Sequence, residues 1–255
     1  MIDCGSVEYA YARVHARHGQ RLDETAWRRI ETLRGLAPTL ELMRAGTLRP
    51  WLAGLGEPAD SHRVEVTLRR HWRAGVDEVA AWLPAAWQPA VRWCAWLPEL
   101  APLQHLARGG EPPAWMHDDE VWRDAHALPS TEREAWLAAG PAAALAPAWR
   151  TPDAVGELWL TAWRLRWPRR SRADGAALDA LVRTWLDHRH QFGRAAPGQG
   201  DALRAQLQSR LLAALRRLAP QPAVIFVHLA LTAFDLERLR AELLRRVLFP
   251  RWEVA

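Results

Sequence analysis

The stretch Asp60-SHRVEVTLRRHWRAGVDEVAAWL-Pro84 decides the fold class. Val64, Leu68, Trp72, Val76, Val79 and Leu83 recur every three or four residues, the interval at which one face of an α-helix repeats. Asp60 or Ser61 supplies an N-cap oxygen, and Pro84 cannot continue the ladder. Glu65 precedes Arg69 by four, the favourable order for an ion pair, and this pair is expected on the exposed face. No run of alternating apolar and polar residues competes with this reading.

Working outward, the same period continues. Val7, Tyr11 and Val14 form a stripe with Arg13 and Arg17 outside it. Asp23 caps a segment carrying Trp27, Ile30, Leu33 and Ala37, which Pro38 is expected to kink or split before Leu40 and Met43. Gly54, Gly56 and Pro58 mark a loop. After residue 147, Thr151-Pro152 is a helix-start signal. Leu178, Leu181, Val182, Trp185 and Leu186 mark a helix ending near Gly193. Leu203, Leu207, Leu211, Leu215 and Leu218 mark the next, and Leu236, Leu239, Leu243 and Val247 face inward in a last helix over about 235–249. Residues 223–231 are the one segment that also reads as a strand, with helix the expected state.

The middle is different. Ten of the eighteen prolines fall within residues 84–152, so helices there must be short or kinked, and Trp82, Trp87, Trp93 and Trp96 crowd its start. Thr131 and Glu134 have capping-box spacing. The Ala- and Pro-rich stretch 140–147 divides the chain into an N-terminal half, 1–147, and a basic C-terminal half, 148–255. The expected fold is all-α, built of repeated helical units with an irregular Pro/Trp-rich middle.

Charge separates the halves. The chain holds 34 basic residues, all Arg, against 29 acids, with no Lys and no Asn. Such a bias is that of a GC-rich bacterial coding sequence, so Arg here need not have been selected over Lys for bidentate bonding. Residues 99–153 carry four Arg and nine acids, whereas residues 160–217 carry twelve Arg and four acids. That basic segment suits an acidic protein surface or a nucleic acid.

Several classes lack their signals. Cys4 and Cys94 are too few for a disulfide framework and have no metal spacing, which points to a reducing compartment. The start shows no leader, and the longest apolar run, 223–234, falls short of the ~20 residues of a spanning helix. A cytoplasmic chain, peripheral at the inner membrane through its partners, is expected. No Gly-x-Ser-x-Gly, P-loop, Gly-x-Gly-x-x-Gly, Glu-x-x-His or Cys/His zinc pattern occurs. No enzyme activity, cofactor or metal is therefore expected.

Three features could still carry chemistry. His117, Asp118, Asp119, Glu120 and His126 form the densest polar cluster, read first as acids in the opening turn of a helix. His15 with His18, and Asp187 with His190, are read as solvated or helix-terminal pairs. Trp159, Trp163 and Trp167 share a helix face and read first as a core stripe with Arg stems on the rings. Base stacking, sugar stacking and an interface anchor are the alternatives. The run 164–172, with five Arg, is either a solvated face or a basic patch.

One family ties several segments together. Tyr9-Ala-Tyr-Ala-Arg-Val-His-Ala-Arg17, then Thr47-Leu-Arg-Pro-Trp51-Leu, then Asp60 leading to Val64-Glu65-x-x-Leu68-Arg69 resemble the opening of a rotary-ATPase component. Phe234-Asp-Leu-Glu237-Arg-Leu-Arg240 is similar to its late helix. The family is the V-type/A-type ATPase central-stalk socket, which has prokaryotic and eukaryotic members. The resemblance implies a cytoplasmic, all-helical funnel of repeated units, without an active site, that seats the central shaft on the membrane rotor ring. The chain is shorter than the family's usual length and its Pro/Trp-rich middle departs from the pattern, which implies a reduced repeat. On this reading the partners are the rotor-ring and shaft proteins, and nucleic acid is not expected to be one. Arg238, Arg245 and Arg246, placed on the outer face of the last helix, are the expected contacts. The alternative is a helical protein that binds nucleic acid, or scaffolds another bacterial complex, through its basic half.

Overall fold

The structure is a computed structural model that describes residues 5–57, 59–218 and 220–249. Cys4 and Pro58, both singled out above, lie outside them. The described residues form twelve α-helices joined by short 3-10 turns, with no strand among them. The all-α expectation holds.

The helix read from the 60–84 stretch is α4, Ser61–Ala81, and its cap is Asp60, whose carboxylate accepts from the Arg63 N–H at 2.7 Å. Before it come α1, Val7–His18, capped by Ser6, and α2, Glu24–Thr32, capped by Asp23. α3, Leu36–Arg44, follows. The expected break falls earlier than Pro38. Leu33 leaves the helical region and Gly35 takes φ +80°, while Pro38 sits in the first turn of α3, where its missing N–H has no partner to lose.

The proline-rich middle yields only short pieces: α5, Gln88–Arg92; α6, Leu100–Ala107; α7, Arg123–Ala127; and α8, Ser130–Ala139. The Thr131/Glu134 capping box does not form. α8 opens two residues earlier, behind Pro129, and no side chain caps it. α9, Val155–Leu165, α10, Arg172–Gly193, and α11, Gly200–Arg217, then lead into α12, Ala223–Leu248.

α12 bears out the helical reading of 223–231 and corrects the start of the last helix. The ambiguous 223–231 segment and the last helix are one element of 26 residues. Residues Ala223 to Leu229 are all buried, so the run carries no period to read, and the helix satisfies its backbone groups internally.

α12 packs against α4, and two hydrophobic cores form around them. The larger core includes Val14, Trp72, Trp122, Trp163, Leu211 and Phe226, drawing on both sides of residues 140–147. The smaller one packs Trp27, Ile30, Leu40 and Met43 against Val64 and Leu68 of α4 and Leu239 and Leu243 of α12. Both long helices thus serve both cores. No helix among the described residues is long and apolar enough to cross a membrane.

Candidate functional site

The three arginines expected on the outer face of the last helix do not have that face free. α2 lies across it. Arg238 donates to Glu24 and Glu31 of α2, at 2.8 Å each, and its guanidinium sits 4.9 Å from the Trp27 ring centre. The Glu24 carboxylate raises the Arg238 guanidinium above its ordinary value, and Glu24 is held down in return.

Arg246 is 2% exposed and donates to the Ile30 and Leu33 carbonyls at 2.7 and 3.0 Å and to the Glu242 carboxylate at 2.5 Å. It therefore caps the C-terminus of α2, where a cation offsets the unpaired carbonyls. Arg245 donates to the Glu31 carbonyl at 3.2 Å and to Glu242 at 3.3 Å, and remains half-exposed. The outer-face assignment is thus corrected for Arg246, which lies wholly inside the protein, while Arg238 and Arg245 reach α2 and stay partly exposed.

A second ionic assembly escaped the sequence reading. Glu65, Arg69 and Arg73 form one stripe along α4, of which the Glu65/Arg69 pair was expected to face water. Glu65 is 7% exposed, and the Arg69 and Arg73 side chains are buried nearly as deeply. The stripe faces Glu99, at the start of α6, and Asp119, in the turn before α7. Arg69 donates to Glu99 at 2.5 Å and to the Pro98 carbonyl at 2.9 Å. Arg73 donates to Glu99 at 3.1 Å and to Asp119 at 2.8 Å. The Trp122 indole donates to Glu99 at 2.7 Å. From α12, Arg240 donates to Glu65 at 2.7 Å. With Glu120, 3.3 Å from Arg73 at the exposed edge, four carboxylates meet three guanidiniums, and the Arg69 guanidinium lies 4.1 Å from the Trp115 ring centre. Burial pushes the Glu99 carboxyl above the usual range, against the opposing pull of Arg69, Trp122 and Arg73.

Beside this network lies a cavity of about 310 Å³ between α4, α9, α10 and α12. Leu68, Trp72, Trp159, Trp185 and Phe234 make its apolar wall, and Glu65, Arg69, Glu237 and Arg240 make its polar edge. A second cavity, of about 360 Å³, opens between α1, α4 and α12. Arg17, Arg21, Asp235 and His228 line it. Arg21 and Asp235 form a bidentate pair at 2.6 and 2.7 Å, and the buried His228 ring stacks on Trp82 with its Nδ1 unpartnered among the described residues.

The remaining candidates are placed as follows. The His117–His126 cluster is split: Asp119 turns inward to Arg73, while His117 and Asp118 stay exposed, 3.0 Å apart, with the His126 ring 5.8 Å from that of His117. Asp119 opens the turn into α7 by accepting from the Val121 N–H, rather than sitting in the helix's first turn. No group of three or more His, Cys, Asp or Glu among the described residues could hold a metal ion.

Trp159, Trp163 and Trp167 are all core residues. Trp163 is fully buried among Trp167, Trp185 and Phe226, at 4.8, 5.3 and 4.7 Å between ring centres. Arg164 and Arg170 flank Trp167, and Arg166 covers Trp93, as arginine stems on a core stripe should. Cys94 is buried, which pushes its thiol up and leaves it inert.

The buried carboxylates are matched to arginines, so this geometry fastens elements together. The signal that could have revealed the network is the i, i+4, i+8 spacing of Glu65, Arg69 and Arg73, a second charged stripe beside the exposed one that carries Arg63, Arg70 and Asp77. Periodicity cannot tell such a stripe facing water from one facing complementary charge. Comparison with protein families, with curated proteins and with solved structures finds no match to this chain.

Proposed function

We propose that this chain is a non-catalytic helical adaptor, a diverged and shortened relative of the rotary-ATPase component that seats the central shaft on the membrane rotor ring. Its work would be mechanical: to bind partner proteins at two places and transmit torque between them. Ion transport would depend on it without passing through it. The family's funnel of repeated units belongs to the same proposal.

One observation carries the reading. The segments that resemble the family lie far apart in sequence and all lie on or contact α4, two of them meeting each other directly. Arg240 pairs with Glu65, Leu68 and Phe234 share a cavity wall, Arg17 pairs with Glu78 of α4 at 2.6 Å, and the Trp51 ring packs against Gly75 of α4. Residues that resemble a family and also hold one another in place are what a shared scaffold leaves behind. The paired state of the buried carboxylates agrees with a part whose role is rigidity.

The nucleic-acid alternative keeps its basic segment but loses its stacking platform, because Trp159, Trp163 and Trp167 are buried. Scaffolding of another complex through the basic half stays compatible with the same geometry.

The test is gentle detergent extraction of native membranes carrying the tagged chain, with mass spectrometry of what co-purifies. Rotor-ring and shaft proteins are the expected companions. A different stable set would assign the scaffold to another complex.

A further inference from the structure

The cavity of about 310 Å³ between α4, α9, α10 and α12 has the size of a small-molecule site. Four aromatic rings from four helices line it: Trp72 of α4, Trp159 of α9, Trp185 of α10 and Phe234 of α12. Its apolar wall is not closed over. Trp72 and Trp159 are buried, but Leu97, Trp185, Ala233 and Phe234 stay partly exposed around it. Trp159 and Trp185 stand 6.2 Å apart between ring centres, inclined at 55°. The indole N–H groups of Trp72 and Trp159 are given to the Cys94 and Trp93 carbonyls, at 3.1 and 3.3 Å, so these two rings offer a ligand only their π systems.

The polar edge of this cavity is not balanced. Both of its guanidiniums are bonded to carboxylates: Arg240 to Glu65, and Arg69 to Glu99 and to the Pro98 carbonyl. Arg69 is also closed off, with its side chain 11% exposed. Glu237 is exposed and makes no hydrogen bond or ion pair among the described residues. Ala230, Ala233, Phe234 and Glu237 stand at i, i+3, i+4 and i+7 of α12, on one face of the helix, so this carboxylate ends the cavity's own wall. In the network behind it, Glu65, Glu99, Asp119 and Glu120 outnumber Arg69, Arg73 and Arg240. The charge left over at the mouth is therefore negative.

We propose that this cavity binds a small organic cation, an ammonium with an apolar body, its positive charge held between Glu237 and the aromatic wall. Aromatic rings attract such a cation through the negative potential of their faces, and more strongly where water is excluded. The unpaired carboxylate adds a full opposite charge, and the partly exposed Leu97 and Ala233 give the apolar body a surface to cover. An anion would have to share Arg240 with Glu65 and lie against Glu237. A neutral apolar molecule would fill the wall and leave Glu237 unanswered. Such a site is independent of the adaptor role and would survive its failure, because it requires no protein partner.

Isothermal titration calorimetry of the full chain with benzyltrimethylammonium tests this, with phenylbutanol and phenylbutyrate as neutral and anionic probes of similar size. The cation should bind, the alcohol at least tenfold more weakly, and the acid more weakly still. Glu237→Gln, at an exposed position, should lower the affinity for the cation at least threefold. Ala233→Leu, which fills the cavity from a partly exposed position, should lower it at least tenfold. Glu132→Gln on α8, also exposed and outside the cavity, should leave it unchanged, and circular dichroism of all three variants should match the parent. No binding of the cation would overturn the proposal. So would an alcohol or an acid that binds as tightly, a cation affinity that Glu237→Gln or Ala233→Leu does not move, or one that Glu132→Gln lowers as much as Glu237→Gln does.

Discussion

Arg240 of α12 donates to Glu65 of α4 across 175 positions of sequence, at 2.7 Å, and so ties the end of the chain to its first long helix. Glu65 in turn lies 3.6 Å from Arg69, which donates to Glu99. A continuous line of ion pairs therefore runs from α12 through α4 to the start of α6.

The members of that line should not contribute equally. Arg240 is half-exposed, so its Ala variant should cost about 1 kcal/mol. Glu99 is 2% exposed and answers two guanidiniums and an indole, so Glu99→Ala should cost about 3–5 kcal/mol by leaving buried donors and charge uncompensated. Urea unfolding of the two variants measures the ranking; equal costs would show that Glu99 is not the keystone.

The clamp on α2 gives a similar contrast between neighbours. Arg246→Ala should destabilise by about 3–5 kcal/mol, because Glu242 and the Ile30 and Leu33 carbonyls lose a buried cation. Arg245→Ala, at a half-exposed position, should cost less than about 1 kcal/mol. Arg246→Lys should recover only part of the loss, since an ammonium lacks the planar fork that spans these partners. Hydrogen exchange of the α2 amides reads the local effect directly.

Stability should fall in acid through His228. Burial, then Arg17, Arg21 and His18, push its imidazole down from 6.5 to about 3. The unfolded chain takes up a proton near pH 6.5 that the folded chain refuses until about pH 3, so this contribution is intact above pH 6.5 and is lost as pH falls. The slope is about 1.4 kcal/mol per pH unit across that window. Thermal melts of the parent and of His228→Phe between about pH 7 and 4 check it: the variant should lose this part of the dependence.

Trp163→Ala should cost about 3–5 kcal/mol, since the ring is fully buried among four other aromatic rings. Leu165→Ala, two residues away and 81% exposed, should stay within about 0.5 kcal/mol. Differential scanning calorimetry of both separates a core stripe from a recognition surface.

The helical period was legible wherever a helix has one apolar face: α4 and α11 follow their Leu, Val and Trp stripes, α10 does so except at the exposed Leu186, and Asp23 and Asp60 cap as their spacing implied. It failed where burial is complete. Residues 223–229 carry no polar face to set a phase, so the joining of that segment with the last helix into α12 was hidden. It failed again for charge, since a sequence shows that Arg246 and Glu65 are polar but not that α2 covers one and Glu99 lies near the other. The pairing of Arg238 with Glu24 and Glu31 spans more than two hundred residues, and no local pattern encodes it.

The adaptor account is tested most directly by energy coupling in sealed membrane vesicles from cells with and without this chain. ATP hydrolysis and ATP-driven ion pumping are followed in the same vesicles. The account predicts that removing the chain abolishes pumping while hydrolysis by the catalytic head persists, and that adding the purified chain restores pumping. Pumping at the full rate in its absence would contradict the account.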